Sequence, residues 1–440
     1  MKPEANSKVV IVGAGFGGLL CARDLDGFET RDRRSVHVTL IDRHDYHTFQ
    51  PLLYQVATSL LEPLDVAYPI RKIFRGSKNI HVRQAMVERV DFERKVVCSS
   101  DGAEHSYDML VLATGSTTNF FGNEAIEASS FGVKDLSEAL QLRNHVLACL
   151  ERSVEFADPE ERRRLLTFVV CGGGPTGVEF AGALAELLDL VVPAEYPELQ
   201  REECQIHLIE GQERVLGPFH PSLSAYAGRV LEGKGVKLHL GVLVKEATES
   251  RVVTGDGEVI ECGTIMWSAG VKPADLGDGC AAQKNKGKRI QVDRWLRLVE
   301  HPEVFAIGDV ACVPEDPRGI PMLAQPAIQQ GGYAAARIRE IVEGKDPAGA
   351  APFEYKDKGT MATVGKNAAV VQLGKLRIRG FAGWVAWMAL HIFYLIGFRN
   401  RLSVMLSWAG YFFGRDRPSR IMTSPAGDSL SASVDEELKP

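Results

Sequence analysis

The hydrophobic positions of this chain form short continuous runs that close on glycine, a pattern that predicts strands buried on both faces in a parallel sheet. "KVVIVGAGFGGLL", starting at Lys8, and "FVVCGGGPTGVEF", starting at Phe168, each read as a strand, a glycine-rich turn and the start of a helix. A second strand follows each helix: "VHVTLID" ends at Asp42, and "QIHLIE" ends at Glu210 after the helical "VEFAGALAELLDL". Two more apolar runs, "MLVLATGS" at 109–116 and "EVFAIGDVA" at 303–311, predict strands that break into tight turns. Strands alternating with helices in this way place the chain in the α/β class, with two Rossmann-like units.

The turns carry G-x-G-x-x-G spacing twice, as Gly13, Gly15 and Gly18 and as Gly172, Gly174 and Gly177. The first glycine permits the tight turn, the second lets a pyrophosphate approach the backbone, and the third allows close helix–strand packing. The helix N-terminus then faces the phosphates. Asp42 stands where a carboxylate accepts hydrogen bonds from a ribose diol; the polar "ETRDRRS" before its strand accounts for its distance from Gly13. Glu210 stands where it would pair with an adenosine 2′-hydroxyl and repel a 2′-phosphate, favouring NADH over NADPH, with Arg214 the neighbour able to soften that preference. Two dinucleotide sites in one chain let a hydride pass from a nicotinamide to a flavin. Asp309 is then either a hydrogen-bond partner of the FAD ribityl chain or a turn former after Gly308.

At 440 residues the chain has room for about three domains, and a formal net charge of −6 gives no reason to expect nucleic acid. Its eight cysteines include no C-x-x-C pair, which argues against a zinc site and a dithiol centre. With no apolar signal segment before Lys8, the body is expected in the cytoplasm. "DRHDYH", with His44, Asp45 and His47, lacks further ligands at a supporting spacing, so no metal is expected.

The ordered set "VGAGFGG", "ATG", "GGGPTGVE", "WSAGVKP" and "VFAIGD" resembles flavoproteins with two dinucleotide-binding domains in a glutathione-reductase-like arrangement. Within that group, "FQPLLYQVAT" at 49–58, "AQPAIQQG" at 324–331 and "MATVGKNAAV" at 361–370 resemble the type II NADH dehydrogenases, the non-proton-pumping NADH:quinone oxidoreductases. The resemblance implies non-covalent FAD, NADH as donor, a membrane quinone as acceptor and a homodimer. It implies FAD contacts at Gly13, Gly15, Gly18, Asp42, Thr114, Gly115, Asp309 and Ala327, and NADH contacts at Gly172, Gly174, Gly177 and Glu210.

Reducing a quinone consumes protons as well as electrons, so a proton donor must reach it. The resemblance puts Glu179 beside the reacting rings, Gln325 and Gln329 at the quinone pocket, and Lys366 near the flavin. The two amides, spaced i, i+4 on a helix starting near Pro326, suit quinone carbonyls without adding charge, and a cation at Lys366 would favour an anionic reduced ring. The bland alternatives are a first-turn helix acid for Glu179, surface glutamines and a solvated lysine. Two rival activities also stand: a sulfide:quinone reductase using Cys171 and Cys312, and a soluble NADH-dependent reductase with a protein acceptor. A nucleotide sensor without turnover is the non-enzymatic reading. No D-x-D-x-D-G loop points to calcium control.

Residues 380–398, "GFAGWVAWMALHIFYLIGF", carry no Asp, Glu, Lys or Arg, and a second apolar stretch runs from Leu402 to Phe413. Arg399, Arg401, Arg415, Arg417 and Arg420 flank them, and Trp384, Trp387 and Trp408 are placed to settle at lipid headgroups. The expectation is a helical pair lying in one leaflet, making the protein peripheral and monotopic on the cytoplasmic face of the membrane, with a buried dimerisation or core helix as the alternative and a single-pass helix third. The expected organisation is an FAD domain over 8–123 and 286–375, an NADH domain over 124–285, a membrane and dimerisation region over 376–422, and a disordered tail over 423–440.

Overall fold

The computed structural model describes residues 6–274, 276, 279–313, 320–345, 349–414, 417 and 419–422. The polar tail 423–440, with Arg415 and Asp416, lies outside the described residues. The chain divides into two compact units. One comprises Met1–His47, Tyr68–Thr117 and Val271–Lys358; the other comprises Thr48–Ala67, Thr118–Gly270 and Gly359–Pro440.

The first unit opens with β1 (Ser7–Val12), α1 (Phe16–Leu25) and β2 (Val36–Asp42), and continues through β3 (Ile80–Gln84) and β4 (Met109–Leu112). β1 pairs in parallel with β2 on one side and β4 on the other, with Val9 opposite Val38 and Met109. Val9, Val10 and Ile11 are buried on both faces, which is why this strand reads as an uninterrupted apolar run.

The second unit repeats the arrangement. It contains α2 (Leu136–Glu155), β5 (Thr167–Cys171), α3 (Pro175–Glu195), β6 (Gln205–Glu210), α4 (Pro221–Gly233), β7 (Val236–Leu240) and β8 (Thr264–Trp267). Its parallel sheet runs in the order β7-β6-β5-β8. α3 starts with Pro175, whose fixed φ and missing N–H suit a first helical position, and buries Val178 through Ala185 without a break. An apolar surface this wide marks a helix covered on more than one side.

The chain then returns to the first unit with β9 (Val304–Ala306), beside β4, and α5 (Ala324–Val342), completing the sheet order β9-β4-β1-β2-β3. α5 packs on α1 through glycine: a Cβ at Gly331 would collide with the Gly17 carbonyl oxygen. The remaining chain joins the second unit as the antiparallel β10 (Thr360–Thr363), β11 (Ala369–Leu373) and β12 (Leu376–Gly380), followed by α6 (Phe381–Tyr394) and α7 (Phe398–Gly414).

The apolar run 380–398 is thus not one helix. α6 stops at Tyr394, Leu395 turns to extended geometry, and Gly397 takes φ +90° before α7 begins. At 1.5 Å per residue α6 reaches only about 21 Å, and no helix among the described residues is long and apolar enough to cross a membrane. Two tryptophans also depart from expectation. Trp387 and Trp408 are buried, their ring centroids 5.6 Å apart and their planes inclined at 46°. Arg417 is buried rather than surface-facing, with Nη2 3.5 Å from Glu186 Oε2 and Nη1 donating to the Thr58 carbonyl at 2.6 Å.

Candidate functional site

In the first unit the three glycines occupy three different environments. Gly13 has φ +102°, and a Cβ there would overlap the Ala113 carbonyl oxygen; a Cβ at Gly18 would overlap the Gly13 oxygen. At Gly15 nothing lies within 4 Å of a Cβ position, so this glycine faces open space. α1 begins there with no side-chain cap and no acid in its first turn, leaving its N–H groups directed at that space. An open cradle lined by uncapped amides fits a pyrophosphate.

Asp42 closes the turn from the side. Its Oδ2 accepts from the Ala14 N–H at 2.6 Å and its Oδ1 from the His44 N–H at 2.8 Å, so the carboxylate is oriented with lone pairs left for a ribose. His47 is buried with Nδ1 2.9 Å from the Ala14 carbonyl, and burial lowers its pKa, keeping the ring neutral. Among the described residues no group of three His, Cys, Asp or Glu side chains is placed to hold a metal.

Elsewhere in this unit, Ser116 Oγ donates to Asp309 Oδ2 at 2.5 Å, and Thr114 Oγ1 donates to the Ala274 carbonyl at 2.8 Å. Gly115 and Gly308 take φ +75° and +73°, the left-handed geometry their turns require. Ala327 Cβ comes within 3.4 Å of a Cβ position on Gly308. The helix bearing the glutamines starts at Ala324, two residues earlier than expected. Its three glutamines separate by role. Gln325 Oε1 is buried without a partner. Gln329 exchanges two hydrogen bonds with the Lys356 backbone, at 2.9 and 3.0 Å, so its amide clamps a loop. Gln330, which the sequence did not single out, is buried and accepts from the Gly308 N–H at 2.5 Å, holding the Gly308–Asp309 turn.

The second unit carries the same construction. Gly172 has φ +109°, a Cβ at Gly177 would overlap the Gly172 oxygen, and Gly174 faces open space at the uncapped start of α3. Glu210 Oε2 accepts from the Gly173 N–H at 2.6 Å and Oε1 from the Gln212 N–H at 2.8 Å. Arg214 turns away to the Gly217 carbonyl at 2.9 Å. A cavity of about 630 Å³ lies over this turn, lined by Gly172, Glu210, Gln212, Leu243, Phe120 and Trp267, within the range of small-molecule sites.

Glu179 lies beyond the first turn of α3, so it is no dipole-compensating helix acid. It is buried, Oε1 accepting from the Thr363 N–H at 3.2 Å. Burial pushes its carboxyl up to about 8, only partly opposed by that N–H and by the nearby Trp387 indole, which makes no well-formed hydrogen bond. A carboxyl held neutral near physiological pH is suited to giving and taking a proton. Lys366, in the same unit, is committed: Nζ donates to the Phe412 carbonyl at 2.9 Å at the end of α7 and sits over the Phe412 ring.

The two cysteines of the rival reading are ordinary. Cys171 is fully buried among Val169, Ile209 and Trp267, and burial pushes its thiol up, away from the reactive thiolate. Cys312 accepts from Asn285 Nδ2 at 3.2 Å.

Residues 7–331 match the family described as pyridine nucleotide-disulphide oxidoreductase. The chain is 38% identical over 431 residues to the type II NADH:quinone oxidoreductase NdhA of Mycobacterium tuberculosis, covering 95% of this chain and 89% of that one. It is 36% identical over 433 residues to the type II NADH:quinone oxidoreductase Ndh of the same organism, covering 96% and 91%. The solved structure of NDH2 from Plasmodium falciparum in complex with NADH has the same fold, with a TM-score of 0.85 at 20% identity, covering 94% of this chain and all of that one. By sequence and fold together, the chain belongs to the pyridine nucleotide-disulphide oxidoreductases and, among them, to the type II NADH:quinone oxidoreductases.

Proposed function

We propose that this protein oxidises NADH and reduces a membrane quinone to quinol without moving protons across the membrane. The observation that carries the reading is the duplicated site: two uncapped helix starts, each with an open glycine and a strand-end carboxylate fixed by backbone N–H groups. Gly13, Gly15, Gly18 and Asp42 are assigned to FAD, held non-covalently, with Thr114, Gly115, Asp309 and Ala327 as further contacts. Gly172, Gly174, Gly177 and Glu210 are assigned to NADH. FAD, when bound, supplies the two-electron carrier between nicotinamide and quinone.

The chain's own residues orient and supply protons. Glu210, with Arg214 bonded to the Gly217 carbonyl, is set to repel a 2′-phosphate and so favours NADH. Glu179 holds a proton near neutral pH for the quinone. Gln325 has a buried polar atom awaiting a partner and is the amide assigned to the quinone head; Gln329 serves that site indirectly, by fixing the 356 loop. Lys366 is assigned to anchoring α7 rather than to contact with a reduced ring.

The quinone is reached from the lipid. Phe381, Phe393, Phe398, Met405, Leu406 and Phe413 of α6 and α7 are exposed, with Arg399 and Arg401 beside them. Exposed apolar side chains on two consecutive helices with basic neighbours suit a bilayer surface, on the cytoplasmic side, with a second copy of the chain at the adjoining region as a homodimer. The test is direct: heat-denatured protein should release FAD, and vesicle-bound protein should oxidise NADH only when a quinone is present. Release of another flavin, or undiminished turnover with sulfide in place of NADH, would overturn the reading.

A further inference from the structure

Near Glu179, within the second unit, lies a second and much smaller cavity of about 30 Å³, room for about one water. Tyr54, Ala183, Glu186, Thr363, Trp387 and Arg417 are among its walls. Thr363 and Trp387 are the same residues that touch Glu179, so the cavity is separated from that carboxyl by one shell of side chains. Arg417, on its wall, has two buried donors, Nε and Nη2, without a protein hydrogen-bond partner. Orphaned buried donors around a water-sized space point to a polar occupant.

The hydrogen bonds beside it have a fixed sense. Trp408 Nε1 can only donate, and it donates to Gln55 Oε1 at 2.8 Å. The Gln55 amide is thereby oriented, so Nε2 donates to the Tyr54 phenol oxygen at 2.8 Å. Tyr54 must accept there, and its own O–H is left to point elsewhere. Burial pushes the Tyr54 phenol up, so it stays a neutral donor. Glu186 is also on the wall. It accepts from Lys234 Nζ at 2.7 Å, the Lys366 N–H at 2.6 Å and the Tyr411 hydroxyl at 2.8 Å, with Arg417 behind.

We propose that a water in this cavity, together with the Tyr54 hydroxyl, is the route by which a solvent proton reaches Glu179. The balance requires such a route: NADH and quinone become NAD⁺ and quinol by taking up one proton from solution per turnover. The Arg417 donors hold the water by its oxygen, leaving its hydrogens for Glu186 and the Glu179 side. Tyr54 and Gln55 belong to "FQPLLYQVAT", and this gives that segment a chemical role. Tyr54 and Ala183 are here residues of the proton path, not of the quinone or nicotinamide sites.

The inference rests on Glu179 as the proton carrier, and the test separates the two. Tyr54→Phe removes only the hydroxyl; Ala183→Val fills the cavity without altering a polar group. In anaerobic double mixing, both should slow quinone-driven flavin reoxidation about tenfold and raise its solvent deuterium isotope effect, with NADH-driven bleaching and the KM for quinone unchanged. If Glu179→Gln slows reoxidation but both path variants match wild type in rate and isotope effect, the route is wrong. If Glu179→Gln itself has no effect, the assignment of Glu179 falls and the route with it.

Discussion

The proton-carrying role proposed for Glu179 opposes stability, and the opposition can be measured. The folded chain keeps its carboxyl protonated to about pH 8, whereas an unfolded chain ionises near 4.5. Because the folded value is the higher one, the stabilising proton is fully present in both states below 4.5, and stability is lost as pH rises toward 8. Each pH unit in that window removes about 1.4 kcal/mol. Over the two and a half units from 4.5 to 7 the loss is roughly 3 kcal/mol. Glu179→Gln keeps the volume and the oxygen that accepts from Thr363 but cannot ionise. The variant should therefore be more stable than wild type near neutrality, by several degrees on the ~2–4 °C per kcal/mol typical of domains of about 200 residues. The assay is the thermal unfolding midpoint of the cofactor-loaded proteins in detergent at pH 5, 6, 7 and 8. The gap should open steadily with pH and nearly vanish at pH 5. A variant that is no more stable at pH 8, or a gap independent of pH, would refute the reasoning.

Three further outcomes follow from other contacts. Gly18→Ala places a Cβ on the Gly13 oxygen and should lower the flavin-to-protein absorbance ratio, whereas Gly177→Ala should leave that ratio intact and raise the KM for NADH about tenfold or more. Glu210→Gln removes the charge facing the 2′ position and should narrow the kcat/KM ratio of NADH over NADPH by about tenfold, read from steady-state kinetics. Asn400 Nδ2 donates to the carbonyls of Leu64, Asp65 and Ala67, so Asn400→Ala should cost about 1–3 kcal/mol locally, seen as faster hydrogen exchange over 64–67.

The two glycine turns, their strands and their terminal carboxylates were legible because each rests on local rules: continuous apolar runs, fixed glycine spacing and an acid at a strand end. Gln329 and Gln330 show the limit of that reading. They are adjacent and chemically identical, and only the positions of Lys356 and Gly308, brought near by the fold, decide that one clamps a loop and the other a turn. Arg417 was misread for a related reason. It is a cation in polar-looking sequence, yet it is buried against Glu186, a residue about 230 positions earlier whose role no local pattern announces. Trp387 and Trp408 misled because an amphipathic ring suits a headgroup layer and a protein interior equally well; the Gln55 amide settles Trp408 inward. The break at Leu395–Gly397 hides within an unbroken apolar run, where the extended Leu395 and the positive φ of Gly397 mark it.

The most direct measurement of the central claim follows the flavin through one full cycle. Purified protein is mixed anaerobically with NADH, the flavin absorbance is followed by stopped flow, and a short-chain quinone is then added. The expected result is bleaching by NADH within the enzyme's turnover time, followed by recovery driven by the quinone at a rate that matches steady-state turnover. Bleaching without quinone-driven recovery, or no bleaching by NADH at all, would contradict the passage of electrons from one dinucleotide site to the other and on to the quinone.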